Sequence, residues 1–206
     1  MHALAFLSYQ KGEAYEGLHF AKQALFLAEQ LKLSKSITEA NNCLGLCYDL
    51  KGEPKTAQSF LVNHINTVNV YDNTELYSNS LRWVINFYRQ NKNYKECTAY
   101  SIHFLAFRKK IKLWDKAYYT ASFIGDTFVE KKDTTNALKY WSEAVKMSTT
   151  VHEGLVDLFN NIGLIYYTRD KNADSAIAYF NKGLAASQKM NDGYRQGMSL
   201  LHMARA

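Results

Sequence analysis

Proline occurs once in 206 residues, at Pro54, and the ten glycines are scattered. So few backbone breakers argue against a many-turned β protein and for long helices. No apolar run approaches the roughly 18 residues that cross a bilayer. The start, MHALAFLSYQ, carries neither a basic leader nor a small-residue cleavage site, so no signal peptide is visible. Three cysteines are too few for a disulfide framework. Catalytic signatures are missing as well. There is no P-loop, nucleophile elbow or dinucleotide fingerprint, and the histidines at 2, 19, 64, 103, 152 and 202 form no HExxH pair. The sequence therefore predicts no enzyme, no cofactor and no metal site. What it does hold is apolar content: 47% of the residues are hydrophobic against 21% charged, too apolar for a disordered tail.

That apolar content recurs with a period. A small or aliphatic anchor falls at Ala5, Gly45, Ile85, Gly125 and Gly163. Three residues on come Ser8, Tyr48, Tyr88, Phe128 and Tyr166, and a second small position follows at Gly17, Ala57, Cys97, Ala137 and Ala176. Self-similarity at a fixed period of about 40 residues marks a stack of supersecondary units rather than one globule.

The pattern L-G-x-x-Y…G-x-Y…A…F…A is similar to the tetratricopeptide repeat, a helix–turn–helix unit, and the resemblance covers essentially the whole chain. It implies an all-α fold, a right-handed α-α superhelix of five helical hairpins plus a C-terminal extra helix. In such a unit Gly45, Gly125 and Gly163 let the second helix approach, Ala57, Ala137 and Ala176 face them, and Tyr48 and Tyr166 are expected to fill the wedge between repeats. The unit of this family is usually about 34 residues. The extra length lies between repeats and should extend each second helix and the next first helix, which agrees with the absence of inter-repeat prolines. Repeat three departs most, with Val84-Ile85 and Phe104 where small side chains are usual, and His64 likewise replaces a small residue.

The expected helices cover 1–11, 14–32, 35–51, 54–70, 73–91, 94–112, 115–131, 134–150, 153–169, 173–190 and 193–206. They make one solenoid with repeats at 1–32, 35–70, 73–112, 115–150 and 153–190 and a partial sixth at 193–206. Asp72-x-x-Glu75 and Thr150-x-x-Glu153 read as capping boxes, Asp133 as a cap, and Pro54 as a first-turn residue. The chain opens inside a first helix and closes in MSLLHMARA, an apolar-striped helix with no partner after it. Solenoids need polar terminal caps, so the sequence reads as a piece of a longer protein.

Ligands of this family usually bind the concave face lined by first helices. Positions i, i+3, i+7 and i+10 of a helix share one face. Carried onto this sequence, the stripe is Glu39, Asn42, Leu46 and Asp49 in repeat two and Asn79, Arg82, Asn86 and Arg89 in repeat three. Tyr119, Ser122, Asp126 and Val129 follow in repeat four, and Asp157, Asn160, Leu164 and Tyr167 in repeat five. Asn can match a peptide backbone with a donor and an acceptor, Arg can grip a carboxylate, and Tyr adds apolar area with one hydroxyl. The expected partner is a protein or peptide in that groove, with Arg82, Asn86 and Arg89 central.

The chaperone adaptors of the family clamp a terminal carboxylate with Lys and Asn. Asn42 matches that pattern, but the neighbouring lysines are missing. The 40-residue unit resembles instead the sensor regions of bacterial signalling proteins, including some histidine kinases and peptide-pheromone receptors. A competing expectation is a scaffold that self-associates through its ends, with Met198, Leu201 and Met203 on the last helix. The net charge of +6 gathers in RKKIKLWDK, with Arg108, Lys109, Lys110, Lys112 and Lys116, at a helix end that favours cations. No nucleic-acid motif accompanies it, which disfavours such a partner. Cys43 and Cys47 share a helix face without a second ligand pair, and with Cys97 they read as compact core residues. Free thiols favour the cytoplasm, while a leader outside this sequence would allow the periplasm.

Overall fold

The structure, a computed structural model, describes residues 1–65 and 73–206, apart from the side chains of Asn63 and His64. Among the described residues there are eleven helices and no strand. They are α1 (His2–Gln10), α2 (Ala14–Gln30), α3 (Ser34–Leu50), α4 (Pro54–Ile65), α5 (Thr74–Gln90), α6 (Tyr94–Lys110), α7 (Trp114–Glu130), α8 (Thr134–Met147), α9 (Glu153–Thr168), α10 (Ala173–Lys189) and α11 (Gly193–Arg205). Each coincides with an expected helix. Residues 66–70 of the expected helix 54–70, Asp72 of the first capping box and the packing role of His64 lie outside the described residues. The described residues form two compact units, Met1–Phe104 and Leu105–Ala206. In the first, α1 packs on α2, α2 on α3 and α3 on α4, and the first helices α1, α3 and α5 also touch in sequence. In the second, α7 pairs with α8 and α9 with α10, while α11 lies on α10 and α9.

Each hairpin closes on a pair of complementary sizes. A Cβ on Gly45 would stand 2.4 Å from Leu61 Cγ, one on Gly125 2.2 Å from Trp141 Cδ1, and one on Gly163 2.5 Å from Phe180 Cε1. The missing side chain on the first helix is the seat of a large one on the second. Repeat three reverses the sizes: the first helix carries Ile85 and the matching second-helix position is Ser101, 1% exposed. Repeat one holds Ala5 and Ala21, both fully buried. Interiors pack to crystal-like density, so in repeats two to five a large member of the pair meets a small one, whichever helix carries it. This explains the divergence of repeat three.

The aromatic position three residues after the anchor has two contacts. Tyr48 and Tyr166 pack against cores that include the preceding repeat, and they also stack within their own hairpins. Tyr48 lies on Phe60 with ring centroids 5.4 Å apart, Tyr88 on Tyr100 at 5.6 Å, Phe128 on Tyr140 at 5.6 Å and Tyr166 on Tyr179 at 5.6 Å, with rings 6–19° from parallel. Each pair ties the end of a first helix to its second helix. Repeat one, with Ser8, lacks the pair.

Helix ends repeat too. The turn between the two helices of each repeat places one residue at positive φ: Gly12, Gly52, Lys92, Lys132 and Lys171. The following amide closes the turn onto the first helix, as Asp133 N–H does on Phe128 O at 2.9 Å. Glycine adopts this conformation without a Cβ penalty, whereas lysine is strained there. Lys132→Gly is therefore expected to stabilise its hairpin by about 1 kcal/mol. A higher midpoint in thermal unfolding checks this, and an unchanged or lower one refutes it.

Asp133 caps α8 by accepting from Asn136 N at 3.1 Å, and Pro54 opens α4. The Thr150-x-x-Glu153 box does not form. Helix α9 starts at Glu153, so its N-cap is His152, and the Thr150 carbonyl instead accepts from Ser148 Oγ. Asn73, Asn172 and Asp192 are caps that the sequence reading missed, each accepting from the amide three residues on at 2.9–3.0 Å.

Candidate functional site

Side-by-side packing of α1, α3 and α5 leaves a groove of ≈ 410 Å³ within the first unit. Its walls come from the polar stripe of those helices and from apolar side chains beside it. Glu39, Asn42, Leu46, Asn79, Arg82 and Asn86 of the predicted stripe line it. Phe6, Leu76 and Trp83 supply apolar surface, and His2, Ala3 and Cys43 complete the lining. Phe6 of α1 meets Trp83 of α5 edge-on, centroids 5.7 Å apart, reaching across the intervening α3. This aromatic bridge lies near the C-terminal end of the groove.

The charges in the groove are unequally satisfied. Glu39 is flanked by His2 Nδ1 at 3.5 Å and Lys35 Nζ at 3.8 Å. Arg82 is exposed, and no hydrogen bond or ion pair among the described residues engages it. Asn42, 6% exposed, donates from Nδ2 to Ser80 Oγ at 3.0 Å, tying α3 to α5. Its Oδ1 is buried, with no hydrogen-bond partner among the described residues. Turning the amide over would merely leave the other end unpaired, and an unsatisfied buried polar atom is costly. Burial, then Cys47 and Glu39, pushes the Cys43 thiol up to about 12, so it is a protonated packing group rather than a nucleophile. Cys47 plays the same part: it sits where a Cβ on Gly17 would fall, and burial lifts its thiol to about 11.

No family model matches the chain, and no curated protein matches it. Solved structures do. A putative kinesin light chain with nearly identical TPR-like repeats, from Podosopora anserina, aligns at TM-score 0.69 and 14% identity over 92% of this chain and 94% of that one. The chain has the tetratricopeptide-repeat fold. A signal-transduction ATPase with a tetratricopeptide-repeat sensor, from Pyrococcus horikoshii, aligns at TM-score 0.67 and 15% identity over 98% of this chain and 31% of that one. The apo quorum sensor NprR of B. thuringiensis aligns at TM-score 0.58 and 14% identity, covering 95% and 55%. This chain thus spans about a third and about half of those two proteins.

The rest of the stripe of this tetratricopeptide-repeat chain has other occupations. Asp49 accepts from Asn91 Nδ2 at 3.1 Å, and neither it nor Arg89 lines the groove. In the second unit Asp126 Oδ1 and the Ser122 carbonyl take the Trp141 indole N–H at 3.0 and 3.2 Å. Asp157 is paired through both oxygens with Arg195, at 3.0 and 3.1 Å. Asn160 is buried and accepts from Ser199 Oγ at 3.1 Å, the counterpart of the Asn42–Ser80 tie. Gly183 leaves room for that bond, since its Cβ would stand 2.8 Å from Asn160 Oδ1. Tyr119 is 58% exposed beside His152, Val129 is 40% exposed, and Leu164 and Tyr167 are half-buried.

Of the basic cluster, Arg108 donates to the Lys116 carbonyl at 2.8 Å and Lys109 pairs with Glu143, so two of its five cations brace α6 against α7 and α8. Among the described residues no group of three His, Cys, Asp or Glu side chains could hold a metal ion, and no helix is long and apolar enough to cross a membrane. The groove residues missed in the sequence are those of α1, together with Cys43, Leu76 and Trp83 beside the predicted stripe. The offsets that yield Asn42 and Leu46 from Gly45 yield His2 and Phe6 from Ala5.

Proposed function

We propose that this chain is a non-catalytic protein- or peptide-binding module and, within a longer protein, the sensor or interaction region of a bacterial signalling or regulatory protein. The groove of the first unit carries this reading. It joins apolar surface to a few polar groups and falls in the size range of ligand sites. The signal-transduction ATPase and the quorum sensor, both sensors by name, lend support for the signalling role. A ligand would act by binding one arrangement of the repeats better than another, which is the only way occupancy can bias an attached output. The buried free thiols Cys43, Cys47 and Cys97 suit the cytoplasm.

The test is a titration of randomised peptides followed by amide NMR. Amides of α1, α3 and α5 facing the groove are expected to shift, those of α2 and α4 to stay. Replacing Arg82 with Ala should weaken binding about tenfold, the worth of one charge-assisted hydrogen bond. Unchanged affinity together with unshifted groove amides would remove the groove from consideration.

The exposed apolar side chains of α11, Leu200 at 52% and Leu201 at 42%, favour a second reading, self-association through the solenoid ends. Met198 and Met203, expected on that face, are half-buried. Sedimentation at several concentrations separates the two readings, because a strictly monomeric protein leaves only the first.

A further inference from the structure

We infer that a second copy of this chain docks head to tail, the face of α1 that carries Leu4 and Leu7 seating on the exposed face of α11 in its neighbour. The inference rests on the self-association reading above and names the two faces that meet.

Comparison of the repeats shows that the α1 face is an uncovered piece of core. The position before the anchor holds Leu44, Val84, Ile124 and Ile162, none more than 1% exposed, whereas Leu4 is 47% exposed. Two residues after the anchor stand Cys47, Phe87, Thr127 and Ile165, none above 8%, against 47% for Leu7. The α2–α3 junction shows what covers these positions. Leu44 shares a core with Leu18 and Ala21 of α2, and Cys47 lies where a Cβ on Gly17 would fall. Two core side chains three residues apart on α3 thus meet small residues four apart on the preceding, antiparallel helix.

The exposed face of α11 repeats that spacing. A Cβ on Gly193 or on Gly197 would meet nothing within 4 Å, and the exposed Leu200 and Leu201 follow. Laid antiparallel in the register of α2 and α3, Leu7 comes onto Gly193, Leu4 onto Gly197, and the exposed Met1 onto Leu200 and Leu201. Large side chains then fill the space above missing ones, and apolar surface on both copies leaves water. The contact continues the interface that already joins one repeat to the next.

Charge favours a second copy over an ionic partner. Helix α1, HALAFLSYQ, has no acidic, lysine or arginine side chain. On α11 the charge between Gly193 and Leu201 is Arg195, which Asp157, Asp192 and Glu153 hold at 2.8–3.3 Å. No like charges face each other across the seam. Each contact leaves an α1 face open on one copy and an α11 face open on the other, so association runs on past two chains.

The experiment is sedimentation of the whole chain at several concentrations, as the unaltered protein, as Leu4→Lys, as Gly197→Lys and as an equal mixture of the two variants. Both positions are exposed, so each variant should keep its helical circular dichroism. The unaltered protein is expected to form species larger than dimers as concentration rises. Either variant alone should associate at least about tenfold more weakly, because its lysine would be buried in an apolar seam. The α11 face of Leu4→Lys and the α1 face of Gly197→Lys remain intact, so the mixture should form one-to-one dimers and nothing larger. A mixture as monomeric as its components would overturn the pairing of α1 with α11, and so would a Leu4→Lys variant that associates like the unaltered protein. In both cases self-association stands and this inference falls. If the unaltered protein stays monomeric throughout, both fall.

Discussion

Trp141→Ala is expected to destabilise the α7–α8 hairpin by about 3–5 kcal/mol, the range for removing a large buried aromatic. Trp141 is 4% exposed and fills the space left by the absent side chain of Gly125, with Ala117, Tyr118, Ala121, Ile124, Ala137 and Ala144 in the same core. The surrounding positions are already small or are held by their own helices, so the cavity cannot collapse, which favours the upper half of the range. The lost hydrogen bonds to Asp126 and the Ser122 carbonyl matter less, because both residues are half-buried and water can replace the indole. A solenoid unfolds in parts, so the proper measurement is native-state hydrogen exchange in α7 and α8. A loss under about 1 kcal/mol would mean that the hairpin does not depend on this pair. Trp141→Phe, which keeps a ring in the seat, should cost clearly less.

Gly163→Ile is expected to cost about 3 kcal/mol on its own, since the new Cβ would fall 2.5 Å from Phe180 Cε1 and that ring is fully buried. Phe180→Ser should cost about 3–5 kcal/mol by leaving a cavity. Together they copy into repeat five the Ile85 and Ser101 arrangement of repeat three. The double variant should therefore lose about 2 kcal/mol less than the sum of the single changes, a coupling expected only for residues that share one space. Full recovery is not expected, because Phe180 also stacks on His202 at 5.3 Å. Simple additivity in unfolding or exchange measurements would refute the account in which a large side chain on one helix needs a small one facing it.

These two experiments bear on why the fold could be read so far from residues alone. The period of about 40 and the spacing of Gly45, Gly125 and Gly163 are local patterns, and local patterns decide helices and hairpin turns. Eleven helices follow from them with ends shifted by no more than a few residues within the described part. Repeat three was harder, because a size pair such as Ile85 and Ser101 is recognised only when both members are considered together. The stacked aromatic pairs are half visible in the sequence: the period marks the first-helix member and does not show which second-helix ring it meets. The box at Thr150 does not form because Val151 and His152 lie outside the helix, which leaves His152 as the N-cap.

The candidate site divides differently. Helical offsets put Asn42, Arg82, Ser122 and Asn160 at one position of successive first helices, since a face is a property of a single helix. They say nothing about which of those side chains finds a partner. Asn160 is spent on Ser199, Asp126 on Trp141 and Asp157 on Arg195, each partner lying on another helix. Arg82 is left open in a groove shaped where Phe6 of α1 reaches Trp83 of α5, four elements on. Repeat, helices and turns were legible in the chain because neighbours within one helix or hairpin produce them. The groove and its unmatched positive charge came from packing between repeats, where side chains nearly 40 residues or more apart meet.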